Sequence, residues 1–455
     1  MDWRLRETVQ RAVGRDCFFD GEAECLLYSY DSTARKAMPD AVVRAKDADQ
    51  IASLLRLATR HGIPVTPRGG GSGATGGSVP VDGGIVLVMS DMNRIVSLDM
   101  DNLIACAEPG VITGDFHKEV ESRGLFYPPD PASSAFCTLG GNLAECAGGP
   151  RAVKYGVTRD YVLGLEAVLP TGEKIRTGVE TAKGVVGYDL TRLIVGSEGT
   201  LAVITSMTLR LLPLPESVRT LTVVFDRMDQ AAKTVSEIIR KGLIPRTIEY
   251  MDQAAIVCAA TRLEGLPVDA GAMLIIEVDG RETETLAMAE DVAGLCRSMG
   301  ARQVRVALSA EEAAGIWAAR KAISPALFRY GPDKINEDIV VPRSKIPEVV
   351  QKIQELKEKT RLTMVSFGHA GDGNIHFNIM LDKKDAKALK RANWAVEELF
   401  RYTLSIGGTL SGEHGVGLSK QAYFNMEIGP AEKALMLRLK HAFDPAGILN
   451  PHKIF

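Results

Sequence analysis

Arg68-Gly69-Gly70-Gly71-Ser72-Gly73-Ala74-Thr75-Gly76-Gly77 is the stretch on which the reading of this chain turns. Six of its ten residues are glycine, so it has almost nothing with which to build a core. Backbone without Cβ atoms lets a ligand come close to the main chain, and successive N–H groups form a concavity that suits an anion. Arg68 adds a fixed positive charge at one end. The pattern reads as a cradle for a pyrophosphate; the plain alternative is a flexible linker. Strand-like stretches on both sides, residues 63–67 and 85–89, favour the cradle.

Gly71-Ser-Gly73-Ala-Thr-Gly76 also matches G-x-G-x-x-G, the dinucleotide fingerprint. That fingerprint needs a helix directly after it, whose N-terminus holds the phosphates. Here Pro80, Gly83 and Gly84 follow, and then another strand-like run. The expectation is a nucleotide cradled by a loop between strands, not a nicotinamide cofactor on a helix.

At 455 residues the chain is long enough for two or more domains, each with its own core. Hydrophobic residues make up 45% and charged residues 24%, an ordinary globular balance. A net charge of −3 gives no electrostatic case for a nucleic-acid partner. Seven scattered cysteines without a Cys-x-x-Cys signal neither a disulfide framework nor a cysteine-ligated iron–sulfur cluster. The N-terminus lacks a signal-peptide core, and no apolar run approaches the length of a membrane span. A cytoplasmic location is the default expectation.

Taken in order, residues 41–67 read as strand, helix, strand. Asp47 is placed to cap the helix, Gln50 stands at its third position, and Gly62 sits where a C-terminal glycine belongs. Residues 85–212 are strand-rich and hold two further glycine clusters, Thr138-Leu-Gly-Gly-Asn-Leu-Ala144 with Gly148-Gly149, and Gly196-Ser-Glu-Gly-Thr200. Three such clusters point to one large ligand touched by backbone at several places. Leu211-Leu-Pro-Leu-Pro215 breaks the pattern and marks a domain boundary. Beyond it strands and helices alternate, as in an α+β domain with helices over one face of an antiparallel sheet. The expected division is 1–214, 215–409, and a C-terminal segment 410–455 that returns to the first domain.

Met364-Val-Ser-Phe-Gly-His369 and Ile375-His376-Phe-Asn378-Ile379 read as two strands joined by a tight turn at Asp372-Gly373. On one straight strand residues seven apart point to opposite faces; across a turn, His369 and His376 can converge. His376 and Asn378 share a face by the period of two. Ser411-Gly-Glu413-His414-Gly415 follows with no apolar periodicity around it. Two histidines and a carboxylate, with positions left open, make a catalytic site for a divalent ion: zinc by default, or manganese, iron or cobalt. His414, beside Glu413, reads as a base rather than a ligand. The plain alternative is two histidines hydrogen-bonded separately in a hairpin. Arg320, in a helical stretch starting near residue 310, is either a bidentate carboxylate clamp or a solvated helix arginine. Ser324, Lys334 and Asn378 are weaker candidates for the same substrate.

Pro67-Arg-Gly-Gly-Gly-Ser-Gly73, Gly140-Gly-Asn142, Gly196-Ser-Glu-Gly-Thr200, Gly368-His-Ala-Gly-Asp-Gly-Asn374, Ser411-Gly-Glu-His-Gly415 and Asn450-Pro451 occur in the same order as in a known family. From about residue 30 to the end, the chain resembles the FAD-linked D-2-hydroxy acid dehydrogenases of the vanillyl-alcohol oxidase superfamily, in the branch that holds the flavin-binding polypeptide of glycolate oxidase and the FAD-dependent D-lactate dehydrogenases. The resemblance implies an FAD-binding domain of two α+β subdomains and an α+β cap domain with an antiparallel sheet. It implies FAD contacts at Arg68, Gly69, Gly70, Gly71, Ser72, Gly73, Thr138, Gly141, Asn142, Gly148, Glu198, Gly199 and Asn450, with Lys453 nearby. It implies His369, His376 and Glu413 as metal ligands, His414 as base, and Arg320 as the carboxylate clamp. The implied substrate is a small D-2-hydroxy acid, D-lactate or glycolate, with D-2-hydroxyglutarate, or a flavin-subunit role in a multi-subunit glycolate oxidase, as alternatives. No cluster motif lies on the chain, so electrons are expected to leave through a quinone, an electron-transfer flavoprotein or a separate iron–sulfur subunit; a homodimer, peripheral to the inner membrane through its partners, is a further expectation. Cys146 stands where a polar residue, often Asn, is expected. Rivals from other classes are a flavin-free metal hydrolase, which the glycine clusters oppose, and a non-catalytic flavin protein, which Glu413-His414 opposes.

Covalent members of the family carry a histidine in or near the first loop, and none is present here. FAD is therefore expected to be non-covalent: acid precipitation of the yellow protein should leave a colourless pellet, and flavin retained in the pellet would count against that expectation.

Overall fold

The computed structural model describes residues 1–33 and 35–455. It divides into two compact units, the first made of Met1–Ala147, Val157–Leu214 and Glu413–Phe455, the second of Gly148–Gly156 and Pro215–Gly412.

Unit 1 begins with β1 (Phe18–Phe19), β2 (Ala41–Arg44), β3 (Val65–Arg68) and β4 (Ile85–Val88), ordered β1-β2-β4-β3. β2 and β3 run parallel to β4, and β1 is antiparallel to β2. The helix Ala48–His61 connects β2 to β3; Asp47 caps it by accepting the Gln50 N–H at 2.8 Å, and Gly62 ends it in the left-handed conformation. Ile51, Leu54, Leu55 and Ala58, spaced for one helical face, pack on Val43, Val65, Ile85 and Leu87. No helix follows the glycine loop; the chain goes through turns to β4, as expected. The C-terminal segment adds to β3: the Val65 N–H donates to Ile448 O and the Asn450 N–H to Val65 O, both at 2.8 Å.

The second half of unit 1 contains β5 (Ile95–Asp99), β6 (Ile104–Ala107), β7 (Leu125–Phe126), β8 (Val162–Val168), β9 (Lys174–Gly178), β10 (Val203–Arg210) and β11 (Leu212–Pro213). Five of them form an antiparallel sheet, β5-β6-β10-β8-β9, while β7 pairs with β11. The β8–β9 hairpin turns at Pro170-Thr-Gly172, as its sequence predicts. Unit 1 therefore consists of two α+β subdomains.

Unit 2 is built on β12 (Ser217–Phe225), β13 (Thr247–Asp252), β14 (Ala272–Gly280), β15 (Gln303–Val306), β16 (Asp333–Val340), β17 (Thr363–His369) and β18 (Asn374–Leu381). Their order is β15-β12-β14-β13-β17-β18-β16, with every neighbouring pair antiparallel. The helices lie on both faces rather than on one. Gln253–Ala259 and Ala310–Lys321 cover Val224, Met251, Met273, Ile275, Val365, Phe367 and Met380. Met228–Arg240 and Glu282–Ser298 lie against β12 and β14, where the alternate residues Leu221, Val223, Leu274 and Ile276 are also buried. The continuous apolar run of β14 signals this two-sided burial, since a strand with one wet face alternates.

Two boundaries differ from the sequence expectation. Gly148–Gly156 groups with unit 2, because Lys154 donates to Asp279 O at 3.0 Å and Tyr155 to its carboxylate at 2.8 Å. The return to unit 1 comes at Glu413 rather than at residue 410, because the Gly412 N–H is bound to the Asp338 carboxylate at 2.9 Å and Thr409 bridges Val340.

Asp47→Ala should destabilise the β2–helix–β3 element by about 1 kcal/mol, since it leaves a helix N–H without its cap. A urea titration followed by circular dichroism should show the loss, with Asp47→Asn close to the parent.

Candidate functional site

Unit 1 brings the three glycine clusters together. A Cβ on Gly69 would meet Thr138 Oγ1 at 2.3 Å, and one on Gly70 would meet Phe136 O at 2.4 Å, so the first loop lies directly on the backbone that enters the second cluster. The third cluster is bound to the end of the helix Leu139–Glu145: Gly196 N–H donates to Leu143 O at 2.9 Å and Glu198 N–H to Ala144 O at 2.8 Å. Asn450 joins first and third, its amide donating to Gly77 O at 3.0 Å and to Glu198 O at 2.7 Å.

The side chains of these clusters serve the scaffold. Arg68 donates to Tyr30 O at 2.6 Å and Ser78 Oγ at 3.3 Å and lies over the Tyr28 ring, braced beneath the loop. Burial lowers its pKa from the ordinary guanidinium value. Thr138 caps the following helix by accepting the Gly141 N–H at 3.2 Å. Asn142 turns inward to donate to Thr113 Oγ1 at 2.7 Å. Glu198 is buried, and its two oxygens accept from Val416 N–H at 2.8 Å and Gly417 N–H at 2.7 Å. Burial raises its pKa, against those backbone donors. Gly69, Gly70, Gly71, Ser72, Gly73, Gly141 and Gly199 thus offer a ligand mainly main chain. Gly148 falls in unit 2.

The same scaffold fixes the segment after Glu413. Thr75, inside the first loop, donates its hydroxyl to His414 O at 3.1 Å and accepts at its carbonyl from Leu418 N–H at 2.8 Å. Gly417 passes so close that a Cβ would meet Thr75 O at 2.5 Å, and its φ of 49° is left-handed. Sequence reading passed over Thr75; its one signal was a hydroxyl in a loop otherwise short of side chains.

Two features of unit 1 fit an FAD. Asn450 Oδ1 is buried with no hydrogen-bond partner among the described residues, an acceptor waiting for an N–H. Lys453, also buried, donates to Val79 O at 2.9 Å, and burial pushes its ammonium down to about 8, an environment that an anion would relieve.

Unit 2 carries a second constellation on the sheet face under Ala310–Lys321. Glu249 pairs across the ladder with His369, and His376 with Phe367, two residues before His369, so the two histidines are diagonal neighbours on one face. Their Nε2 atoms stand 3.4 Å apart. Two nitrogens at about 2.0–2.1 Å from one tetrahedral ion are separated by about 3.4 Å, so the pair fits a shared divalent ion. His369 Nδ1 donates to Glu249, whose other oxygen accepts from Arg320 Nη2 at 2.5 Å. Arg320 is buried, lies over the Phe367 ring at 4.7 Å and has no partner at Nε among the described residues, which removes the reading of a solvated helix arginine. Asn378 is fully buried, and its Oδ1 has no hydrogen-bond partner among the described residues. Lys334 donates to Ser324 Oγ at 2.8 Å, and burial lowers its pKa. Glu413 and His414 open the last segment of unit 1, directly after Gly412.

Residues 39–178 match the model of an FAD binding domain, and residues 214–454 that of the C-terminal domain of FAD linked oxidases. The chain is 43% identical over 453 residues to the glycolate oxidase subunit GlcD of Bacillus subtilis (strain 168), across 99% of this chain and 96% of that protein. It is 35% identical over 430 residues to a D-lactate dehydrogenase of Anaerostipes hadrus, across 92% and 90%. Among solved structures, p-cresol methylhydroxylase with substrate bound matches with a TM-score of 0.82 at 17% identity, over 98% of this chain and 95% of that one. Alkyldihydroxyacetonephosphate synthase matches with 0.77 at 19%, over 100% and 86%. At such identities the two structures speak for the fold alone.

Glu198→Gln puts an amide NH₂ against a backbone N–H, leaving a buried donor unsatisfied at a cost of about 1–3 kcal/mol. The purified variant should show a lower ratio of flavin to protein absorbance than the parent and release its flavin faster on dilution.

Proposed function

The chain belongs to the FAD-linked D-2-hydroxy acid dehydrogenase family, with the vanillyl-alcohol-oxidase-type fold, and from that premise we propose that it oxidises a small D-2-hydroxy acid, D-lactate or glycolate, to the 2-oxo acid. The observation that carries this reading is the cluster Arg320, Glu249, His369 and His376: a buried guanidinium for a carboxylate beside two facing imidazole nitrogens for an ion.

Non-covalent FAD would be held by the backbone of residues 69–73, 141 and 199 and by Asn450, and a divalent ion would take His369, His376 and Glu413 as its ligands. Zinc suits that donor set, as do manganese, iron and cobalt. When bound, FAD supplies the hydride acceptor, and the ion withdraws electron density from the substrate hydroxyl.

The chain's own residues do the rest. Arg320, held on one edge by Glu249, presents its remaining N–H groups to the substrate carboxylate. Lys334 and Ser324, already paired, add a second cation and a hydroxyl to that subsite. Asn378 Oδ1 offers a buried acceptor to a substrate hydroxyl or a water. Oxidation removes the hydroxyl proton together with the α-hydrogen and its electron pair; His414 takes the proton, a task that suits an imidazole near neutral pH. The electrons pass to a quinone, an electron-transfer flavoprotein or an iron–sulfur subunit, the chain having no cysteine cluster motif of its own. No helix among the described residues is long and apolar enough to cross a membrane. A homodimer in the cytoplasm, reaching the inner membrane through its partners, completes the reading.

Anaerobic mixing with a panel of D- and L-2-hydroxy acids tests it directly: D-lactate or glycolate should bleach the flavin while L-lactate leaves it yellow. Metal removal by a chelator should stop bleaching with FAD still bound. His414→Ala should keep FAD and metal yet slow reduction by at least about 10²–10⁴. Full-rate reduction in metal-free protein would overturn the metal assignment, and loss of metal from His414→Ala would exchange the roles of ligand and base.

A further inference from the structure

We propose that Glu249 is a positioning residue serving the metal ligand and the carboxylate clamp at once, so that one buried side chain sets both the metal affinity and the affinity for the substrate carboxylate. The inference rests on the reading under Proposed function.

Glu249 is the third residue of β13, between Ile248 and Tyr250, and is 1% exposed. A carboxylate there is tolerated only if its oxygens are satisfied. A structural ion pair with arginine favours the bidentate fork, which uses both oxygens on one guanidinium. Glu249 divides them instead. Oε1 accepts from His369 Nδ1, and Oε2 accepts from Arg320 Nη2 at 2.5 Å.

The division has a consequence on each side. A carboxylate can only accept, so the His369 proton is kept on Nδ1, and Nε2 presents its lone pair toward His376 Nε2, 3.4 Å away. On the other side, Arg320 is held by Glu249 at one edge and by the Phe367 ring beneath it, with Nε left without a partner among the described residues. Phe367 also lies against the His376 ring, with centroids 5.6 Å apart. The arginine is thereby braced against both histidines, through Glu249 to His369 and through Phe367 to His376. Glu249 touches both ligand and clamp by hydrogen bonds, so its replacement should change metal binding and substrate binding together.

The test uses the FAD-containing protein and two variants, Glu249→Gln and Glu249→Asp. Three quantities are read: Zn²⁺ affinity by competition with a chromophoric chelator, KM and kcat for D-lactate or glycolate, whichever reduces the parent, and flavin content. Glu249→Gln satisfies only one of the two partners. Its Zn²⁺ affinity should fall about 10–100-fold and KM should rise about tenfold or more, with flavin content close to that of the parent because FAD is held by unit 1 residues. Zn²⁺ affinity and KM both within about twofold of the parent would overturn the proposal, as would a change in only one of them. If Glu249→Gln fails to accumulate, Glu249→Asp decides: it keeps the charge but withdraws the carboxylate by one methylene, and it should still lose Zn²⁺ affinity and raise KM. Parent-like behaviour there would reduce Glu249 to neutralising buried charge. If the parent itself takes up no Zn²⁺, the metal reading fails and this proposal with it. If the parent binds Zn²⁺ and the variants bind it equally, only this proposal falls.

Discussion

A loop with almost no side chains cannot set its own shape, and in unit 1 that shape is imposed from the far end of the chain. Asn450 donates to Gly77 O and Glu198 O, joining the first and third glycine clusters through one amide. Glu198 in turn holds the N–H groups of Val416 and Gly417, and Thr75 holds His414 O and the N–H of Leu418. The network is closed: each segment is anchored by hydrogen bonds to residues of the others, and the Leu418 side chain packs on Gly76 of the first loop. Glu198 and Asn450 both take positive φ, at 53° and 45°. Non-glycine residues keep such a conformation where surrounding bonds over-determine it, which is the situation here.

Unit 2 solves a different problem, that of placing charge inside an apolar sheet. The face covered by Ala310–Lys321 is hydrophobic over Val365, Phe367 and Met380 and becomes polar at Glu249, His369, His376 and Asn378. These residues sit on adjoining antiparallel strands at positions that the register brings to one side. In a region with little water, electrostatic interactions strengthen and unpaired charges become costly together. The Glu249 carboxylate meets that constraint by being shared between an imidazole and a guanidinium. The same strength is available to an anionic substrate and a cation.

Cys146 illustrates how a local anomaly acquires a physical reason. It ends the helix Leu139–Glu145 in the left-handed conformation, with φ 55° and ψ 50°. Asn and Gly tolerate that region best, so an Asn expectation at this position reflects backbone geometry as much as any contact with a cofactor. Burial also raises the half-buried Cys146 thiol above its ordinary pKa.

Much of the local structure was legible in the residues alone. Asp47 and Gly62 bracket a helix, Asp372-Gly373 turns a hairpin, and the residues after Gly76 forbid the helix that a dinucleotide fingerprint would need. Each depends on interactions within a few residues, where backbone preference and periodicity are sufficient. The His369–His376 convergence was legible for the same reason, since a short turn is all that separates them. Arg320 was not: a helix arginine is ordinarily wet, and only the packing of its helix on Phe367 shows that this one is buried. Glu249 was legible only as an odd carboxylate in an apolar strand; its partners, His369 and Arg320, lie 120 residues away and on a separate helix. The excursion of Gly148–Gly156 into unit 2 likewise depends on Asp279, more than a hundred residues later. The sequence by itself determined the elements, the glycine cradle and the chemical types of the site. Only the tertiary structure decided which strands are neighbours, which charges are buried and which carboxylate they share, because register and burial arise from contacts between distant segments and leave no periodic trace in any one of them.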